Sequence, residues 1–452
     1  MFTIVPSLPV PSSTSPAQDP APPSFAEACK FWWLLGCTSF GGPAGQIALM
    51  HRELVDRRKW ISEKHFLQAV QFAMLLPGPE AQQTATYVGW RLHGIRGGLV
   101  AGGLFVLPAA ILLYILSCLF VLGQEAAWMP PIVRGLNAVV IALIASAIAR
   151  LSRRTLSCKG TWILAIAAFV LLFVFHFSFV AVVLGAACIG VVGDRILPKL
   201  FPPQTHRENS VCQIELPHRH GSRQEKLAIL KRMALIAFAG VMVWVVPLAM
   251  AGATLGWNST IVQQGLFFSK AALITFGGAY AVLPYVAQQT VDTFAWLTPS
   301  QMMAGLALAE STPGPLIMVL QFVGFVGAWQ HPGSLNPWWA GTLGALMTTW
   351  VTFIPSYIFV FGGGPLVEHL DRVPLWNAAL RGMMAAVIGG MASLGLRFAL
   401  DATAVASGTP NWMVILLTAL CLLALQHQRM RIPILVAACG FAGWLGWFVG
   451  VL

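Results

Sequence analysis

Two Pro-Gly-Pro tripeptides, Pro77-Gly78-Pro79 and Pro313-Gly314-Pro315, interrupt largely apolar runs. Proline removes a backbone donor and clashes with the preceding turn, so each tripeptide breaks a helix. Pro79 and Pro315 also suit the first turn of the helix that follows. Such a start presents unpaired N–H groups and about half a positive charge. Phe40-Gly41-Gly42 and Phe276-Gly277-Gly278 add glycines at which a ligand can approach the main chain closely. The chemistry on offer is anion binding by main-chain donors. Arg134, Arg381 and Lys270 lie within apolar sequence and are the candidate cationic contacts. A guanidinium suits a tetrahedral oxyanion, with forked donors and permanent charge; the alternative for both arginines is interfacial snorkelling. Glu80 follows Pro79, and Glu310 lies just before Pro313. Burial favours a protonated carboxylate, so either is a candidate for proton coupling. Glu80 also complements a helix start. Asp56 and Asp292, recurring with Trp60 and Trp296, are read as structural loop residues.

The elements that must position these residues are transmembrane helices. Hydrophobic residues make up 57% of the 452 and charged ones 10%, against about 25% charged in a soluble domain. Apolar runs such as Leu99–Leu122, Met233–Ala253 and Ile432–Val451 approach the roughly 20 residues that a spanning helix needs. The expected fold is an all-α polytopic membrane protein. Non-helical backbone at membrane depth is tolerated where it is buried in protein or lines a watery cavity. The net charge of +11 fits basic loops facing the cytoplasm better than nucleic-acid binding. The eight cysteines are scattered without a CxxC, which predicts neither a disulfide framework nor a zinc site. Cys212 with His206, His218 and His220 reads as a solvated loop rather than a metal site. No Walker loop, HExxH or GxSxG occurs, and neither an enzyme nor a bound cofactor is expected. Residues 1–28 are Pro/Ser-rich, lack the pattern of a signal peptide and read as a disordered tail.

An internal repeat decides the architecture. Phe40-Gly41-Gly42, Val55-Asp56, Trp60 and Pro77-Gly78-Pro79 return 236 residues later without a gap. The insertion WQHPGSLNPWW raises the offset to 247, at which Pro108 meets Pro355, Arg134-Gly135 meets Arg381-Gly382 and Ala145-Ser146 meets Ala392-Ser393. Residues 29–193 form one copy and 262–452 the other. A basic linker, 194–232, and one extra span, 233–253, lie between them. The loop with Arg52, Arg57, Arg58, Lys59 and Lys64 has a counterpart with no Lys or Arg, so the two loops belong on opposite faces. That predicts two inverted-topology repeats, an arrangement that places substrate near the midplane at the repeat interface. Counting every apolar segment gives thirteen spans. Reading the segments with mid-point breaks as re-entrant hairpins gives nine spans and four hairpins, and also puts the basic 51–65 loop inside; this reading is preferred. Both place the N-terminus in the cytoplasm and the C-terminus outside. Four breaks related by a two-fold then converge on one place.

The chain resembles the chromate ion transporter family in its long, two-domain form. The resemblance rests on TSFGGPAGQIALMHRELVDRRKWISEKHF and LLPGPEAQQTATYVGWRLHGIRGGLVAGGLFVLP in the first copy. In the second copy it rests on SKAALITFGGAYAVLPYV, FAWLT and STPGPLIMVLQFVGF. It spans essentially residues 29–450. The family motifs fall on Phe40, Gly41, Gly42, Pro43, Trp60, Pro77, Gly78, Pro79 and Glu80, and on Lys270, Phe276, Gly277, Gly278, Pro313, Gly314 and Pro315. Ala279 departs from the pattern, where many members have a third glycine. The resemblance implies export of chromate from the cytoplasm across the plasma (inner) membrane, and hence chromate resistance. The alternative it leaves is a carrier or channel for sulfate or another oxyanion. The expected partners are the oxyanion and the lipid bilayer, with a homodimer as an open option and no nucleic acid.

Overall fold

The computed structural model describes residues 23–196, 200, 223–276, 278–370, 374–403, 411–427 and 432–448. Among them are sixteen α-helices and no strand. Gly277, the tail up to residue 22, most of the 194–232 linker with His206, Cys212, His218 and His220, and the C-terminal residue all lie outside the described residues.

The first half opens with three short helices and a long, kinked fourth. Helix α1 (Phe25–Thr38) stops at Ser39, and α2 (Gly42–His51) restarts after Gly41, whose φ of 95° is left-handed. A π-helical turn, Arg52–Arg57, continues α2. Helix α3 (Glu63–Leu75) ends before Leu76-Pro77, and α4 (Glu80–Gly123) begins after Pro79. Helix α4 leaves helical geometry once, at His93 and Gly94. Each pair folds back on itself. Arg58, after α2, reaches Glu27 at the start of α1 (3.5 Å) and lies over the Phe31 ring. Arg91, near the α4 kink, meets His65 at the start of α3 (3.0 Å). His93 in turn bonds the Pro23 carbonyl (2.8 Å), so both pairs open at one basic mouth.

Helices α5 (Met129–Thr155), α6 (Lys159–Phe173), α7 (Phe179–Ile196) and α8 (Arg223–Leu255) follow. The second half then repeats the plan. It consists of α9 (Thr260–Ile274), α10 (Ala279–Ala287) with a π-helical turn at Gln288–Thr293, α11 (Pro299–Ser311), α12 (Val319–Gln330) after a 3-10 turn at Leu316–Met318, α13 (Pro337–Leu370), α14 (Pro374–Thr403), α15 (Trp412–Gln426) and α16 (Ile432–Phe448). The correspondence extends to backbone detail at an offset of 236. The two π-helical turns coincide. Lys59 and Ala295 share a left-handed φ of 52° and 51°. The Trp60 amide bonds Leu54 O and the Trp296 amide bonds Thr290 O, both at 2.8 Å. The second mouth closes alike: Thr260 Oγ1 donates to His331 O (2.9 Å), and the Phe267 and Trp296 rings meet at 6.0 Å as Phe31 and Trp60 do at 5.0 Å.

Helices α4 and α13 run antiparallel through the centre. Tyr357 Oη lies 3.4 Å from Leu99 O, and Tyr114 Oη 2.8 Å from Thr342 Oγ1. Extending that register puts the start of α13 level with Leu119. From Ile95 to Leu119 a helix rises about 36 Å at 1.5 Å per residue. The two mouths therefore sit at opposite ends of this pair, farther apart than a hydrocarbon core of about 30 Å. The remaining helices form a bundle in which α5 packs on α15 and α16, and α14 on α6 and α7. Its closest approaches use glycine: Gly135 lies against Cys439 and Gly443, and its counterpart Gly382 against Ala186.

Six described helices, α4, α5, α7, α8, α13 and α14, are long and apolar enough to cross a membrane. Helices α6, α15 and α16 are shorter and equally apolar. This is an all-α polytopic membrane protein. Helix α8 packs only at the periphery and exposes Leu235, Phe238 and Met250.

Candidate functional site

The four breaks meet through two reciprocal hydrogen bonds. The Gly78 amide donates to Thr275 O, and the Gly314 amide donates to Ser39 O, both at 2.8 Å. Donors and acceptors are each 236 residues apart, so each half supplies one donor and one acceptor to the other. Glycine is required because φ is 126° at Gly78 and 107° at Gly314, a region closed to side chains without strain. The flanking prolines have no amide to compete. Gln83 Nε2 donates to Pro77 O (2.7 Å), and Gln46 Nε2 donates to Gly314 O, holding the two turns from the side. None of the four helix starts at the breaks carries a side-chain cap, at Gly41, Pro79, Gly278 or Pro315. Their first amides are left for another acceptor.

Charged and hydroxyl groups surround this crossing. A Cβ added to Gly278 would lie 3.6 Å from a Glu80 carboxylate oxygen, so that carboxylate sits directly against the second half's glycine turn. A Cβ on Gly42 would lie 3.7 Å from the Tyr280 ring. Tyr280 Oη donates to Glu310 Oε1 (2.7 Å). Two arginines at the exposed end of α5 lie near these groups, Arg150 on the side of Tyr280 and Glu310 and Arg154 on the side of Glu80. Ser39 and Ser356 are buried, and among the described residues their hydroxyls have no hydrogen-bond partner. Ser356 Oγ flanks Gly78. The ensemble offers orphan amides, two hydroxyls and two guanidiniums to an anion, and two carboxylates to a proton.

Of the residues predicted from sequence, Gly41, Gly42, Pro77, Gly78, Pro79, Gly278, Pro313, Gly314, Pro315, Glu80 and Glu310 lie in or beside these turns. Gly277 lies outside the described residues. Of the three predicted cations, Arg134 and Arg381 are set apart from the turns, and Lys270 lies on the helix that leads into one of them. Arg134 is exposed near the start of α5, next to the Gly135 packing on α16. Arg381 donates to Asp194 at the end of α7, so its charge is already matched. Lys270 is exposed on α9, one turn before Thr275. Arg150, Arg154, Tyr280, Ser39 and Ser356 are additions from the structure. One signal for Arg150 was present in the sequence: it recurs as Arg397 at the offset of 247, four residues after the Ser146/Ser393 match.

Comparison with known proteins agrees with this duplicated plan. The signature of one family, described as Chromate transporter, matches residues 26–191 and again 262–444. The chain is a member of the chromate transporter family. It is 30% identical over 430 residues to the chromate transport protein of Pseudomonas aeruginosa, covering 94% of this chain and 93% of that one. It is 28% identical over 414 residues to the chromate transport protein of Cupriavidus metallidurans, covering 90% of each. An uncharacterised transporter of Methanocaldococcus jannaschii is 27% identical over 409 residues, covering 90% of this chain and 91% of that one. No solved structure matches the chain.

Proposed function

We propose that this transporter is a secondary carrier that exports chromate from the cytoplasm and so confers chromate resistance. Its two halves are inverted repeats, and a tetrahedral oxyanion binds where their four breaks cross. The observation that carries this reading is the reciprocal pair Gly78 N to Thr275 O and Gly314 N to Ser39 O, which brings four uncapped helix starts to one place. Uncapped starts attract anions through free amides and the helix dipole. Arg150 and Arg154 supply the net positive charge on one side, and Ser39 and Ser356 add donors. The basic first mouth faces the cytoplasm under the positive-inside rule, in the plasma membrane, which leaves the second mouth and the C-terminus outside. The nine helices α4 to α8 and α13 to α16 span, and the four fold-back pairs are re-entrant.

Energetics favour export. One charge crossing the membrane field changes energy by about 2.3 kcal/mol per 100 mV, so a dianion leaving a negative interior gains about 4.6 kcal/mol. Proton exchange through Glu80 or Glu310 adds to this drive without being needed for it. Main-chain donors read charge and shape, which sulfate shares with chromate, and sulfate is therefore an expected competitor. Expression in a chromate-sensitive host should lower cell-associated chromate and raise resistance. Unchanged accumulation, with the protein present in the membrane, contradicts export. Sulfate competition in vesicles orders the two cargoes.

A further inference from the structure

The two halves match in backbone but not in packing. The bundle leans on the second half alone: α5 and α16 pack on α11, and α14 packs on α10 and α11. Among the described residues, the first half's short helices pack on α4, on α13 and on one another, and share no comparable face with the bundle. Exposure records the difference. On α11, Met303 is 0% and Glu310 9% exposed; their counterparts on α3, Leu67 and Met74, are 45% and 43% exposed.

The same asymmetry appears in one ion pair. Arg397 on α14 donates to Asp292 of the second π-helical turn (3.0 Å), to Leu172 O (3.2 Å) and to His176 Nδ1. This cluster stands in a cavity of about 570 Å³ at the second mouth, lined also by Pro284 and Ala287 of α10. The counterparts are Arg150 and Asp56, at offsets of 247 and 236. They are engaged elsewhere: Asp56 faces His51 (3.5 Å), and Arg150 donates to Ser146 (2.6 Å) beside Tyr280 and Glu310. Asp56 sits on the first π-helical turn, as Asp292 sits on the second.

We propose that this structure is one of two states that exchange the roles of the halves. In the other state Arg150 pairs with Asp56 as Arg397 pairs with Asp292 here, and α14 covers the Leu67 and Met74 face of α3. Inverted repeats that fold into unequal conformations supply both states of an alternating-access cycle, because swapping the two conformations turns the opening from one side to the other. In the present state α14 packs on α10 and α11 of the second half, and the matching face of α3, with Leu67 and Met74, is exposed. Arg150 then has two positions: near the crossing while that face of α3 is bare, and on Asp56 when α14 covers it. The inference rests on the carrier reading but not on the identity of the cargo.

Cross-linking in a background freed of native cysteines tests it. One variant carries Asp292→Cys with Arg397→Cys and a protease site in the 331–336 turn. Another carries Asp56→Cys with Arg150→Cys and a protease site in the 124–128 turn. A short bifunctional thiol reagent is expected to join the fragments reducibly in both variants, and the 292/397 link to stop transport until it is reduced. With all four cysteines in one chain, linking one pair is expected to prevent linking of the other. A chain that links only the 292/397 pair, or both pairs together, overturns the proposal. The links are read without any cargo, so failure of chromate transport in the unmodified protein is a separate result that bears on the proposed function alone.

Discussion

Gly314→Ala tests the crossing by sterics. With φ at 107°, a side chain at this position costs about 1–3 kcal/mol of backbone strain. The new Cβ would also lie 2.5 Å from the Ala109 Cβ, far inside the roughly 3.5–4.0 Å of a carbon contact. Overpacking of this kind costs about 1–3 kcal/mol more. The sum, about 2–6 kcal/mol, is comparable with the whole stability of many domains, commonly about 5–15 kcal/mol. The second term can be removed on its own. After Ala109→Gly the next neighbour is the Ala109 Cα at 3.7 Å, an ordinary contact, so the double variant recovers about 1–3 kcal/mol less about 1 kcal/mol for a glycine within α4. The mirror position behaves differently. A Cβ on Gly78 meets Ser356 Oγ at 2.6 Å and Gln83 Nε2 at 2.7 Å, so Ser356→Gly removes one obstacle and leaves the other. Gly41, at φ 95° with open space around its Cβ position, incurs only the backbone term on substitution by alanine. The assay is the thermal midpoint of the detergent-purified protein, together with cell-associated chromate. The expected order of damage is Gly314→Ala, then Gly314→Ala with Ala109→Gly, then Gly41→Ala, with no rescue of Gly78→Ala by Ser356→Gly. A Gly314→Ala protein as stable and active as the parent, or one that Ala109→Gly does not improve, refutes the steric reasoning.

Three further outcomes follow from the placement of the charges. Arg150→Gln and Arg154→Gln should each weaken chromate transport about ten- to a hundredfold in apparent affinity, from about 1.5–3 kcal/mol for a charge-assisted contact. Arg134→Gln, near the opposite end of α5 from Arg150, should leave it unchanged; concentration dependence of uptake into everted vesicles distinguishes them. Arg381→Gln should destabilise the protein by about 1–3 kcal/mol by leaving the part-buried Asp194 without its partner, and Asp194→Asn should restore the thermal midpoint. Tyr280→Phe removes the hydroxyl that donates to Glu310, and should slow transport while leaving the amount of protein in the membrane unchanged, as read by flux against immunoblot.

Much of the fold was legible because the chain states it twice. The recurrence of Phe-Gly-Gly, Trp60/Trp296 and Pro-Gly-Pro at one offset identified the breaks, and proline and glycine carry their backbone consequences wherever they fall. The cations were harder. Arg134 and Arg381 drew attention because they match each other inside apolar sequence, but a sequence does not say which way a residue faces on a helix with little amphipathic pattern. Their rotation about α5 and α14 is fixed by glycine contacts with α16 and α7, which are long-range. Arg150 and Arg154 are harder still to place from sequence, because the packing of α5 on α11 that brings this helix end toward the crossing is long-range. The two π-helical turns at Arg52–Arg57 and Gln288–Thr293 were likewise invisible, since an extra residue in a helical turn has no composition of its own. The hydroxyls of Ser39 and Ser356 acquire meaning only beside Gly78 and Gly314.

The most direct measurement is the initial rate of radiolabelled chromate flux from proteoliposomes under an imposed membrane potential. The comparison is between the parent protein and the Gly314→Ala and Gly314→Ala/Ala109→Gly variants, each at matched protein content. Transport through the crossed breaks predicts saturable efflux that accelerates as the interior is made more negative, is lost in the single variant and partly returns in the double. Efflux that ignores the potential, or that persists undiminished in Gly314→Ala, contradicts it.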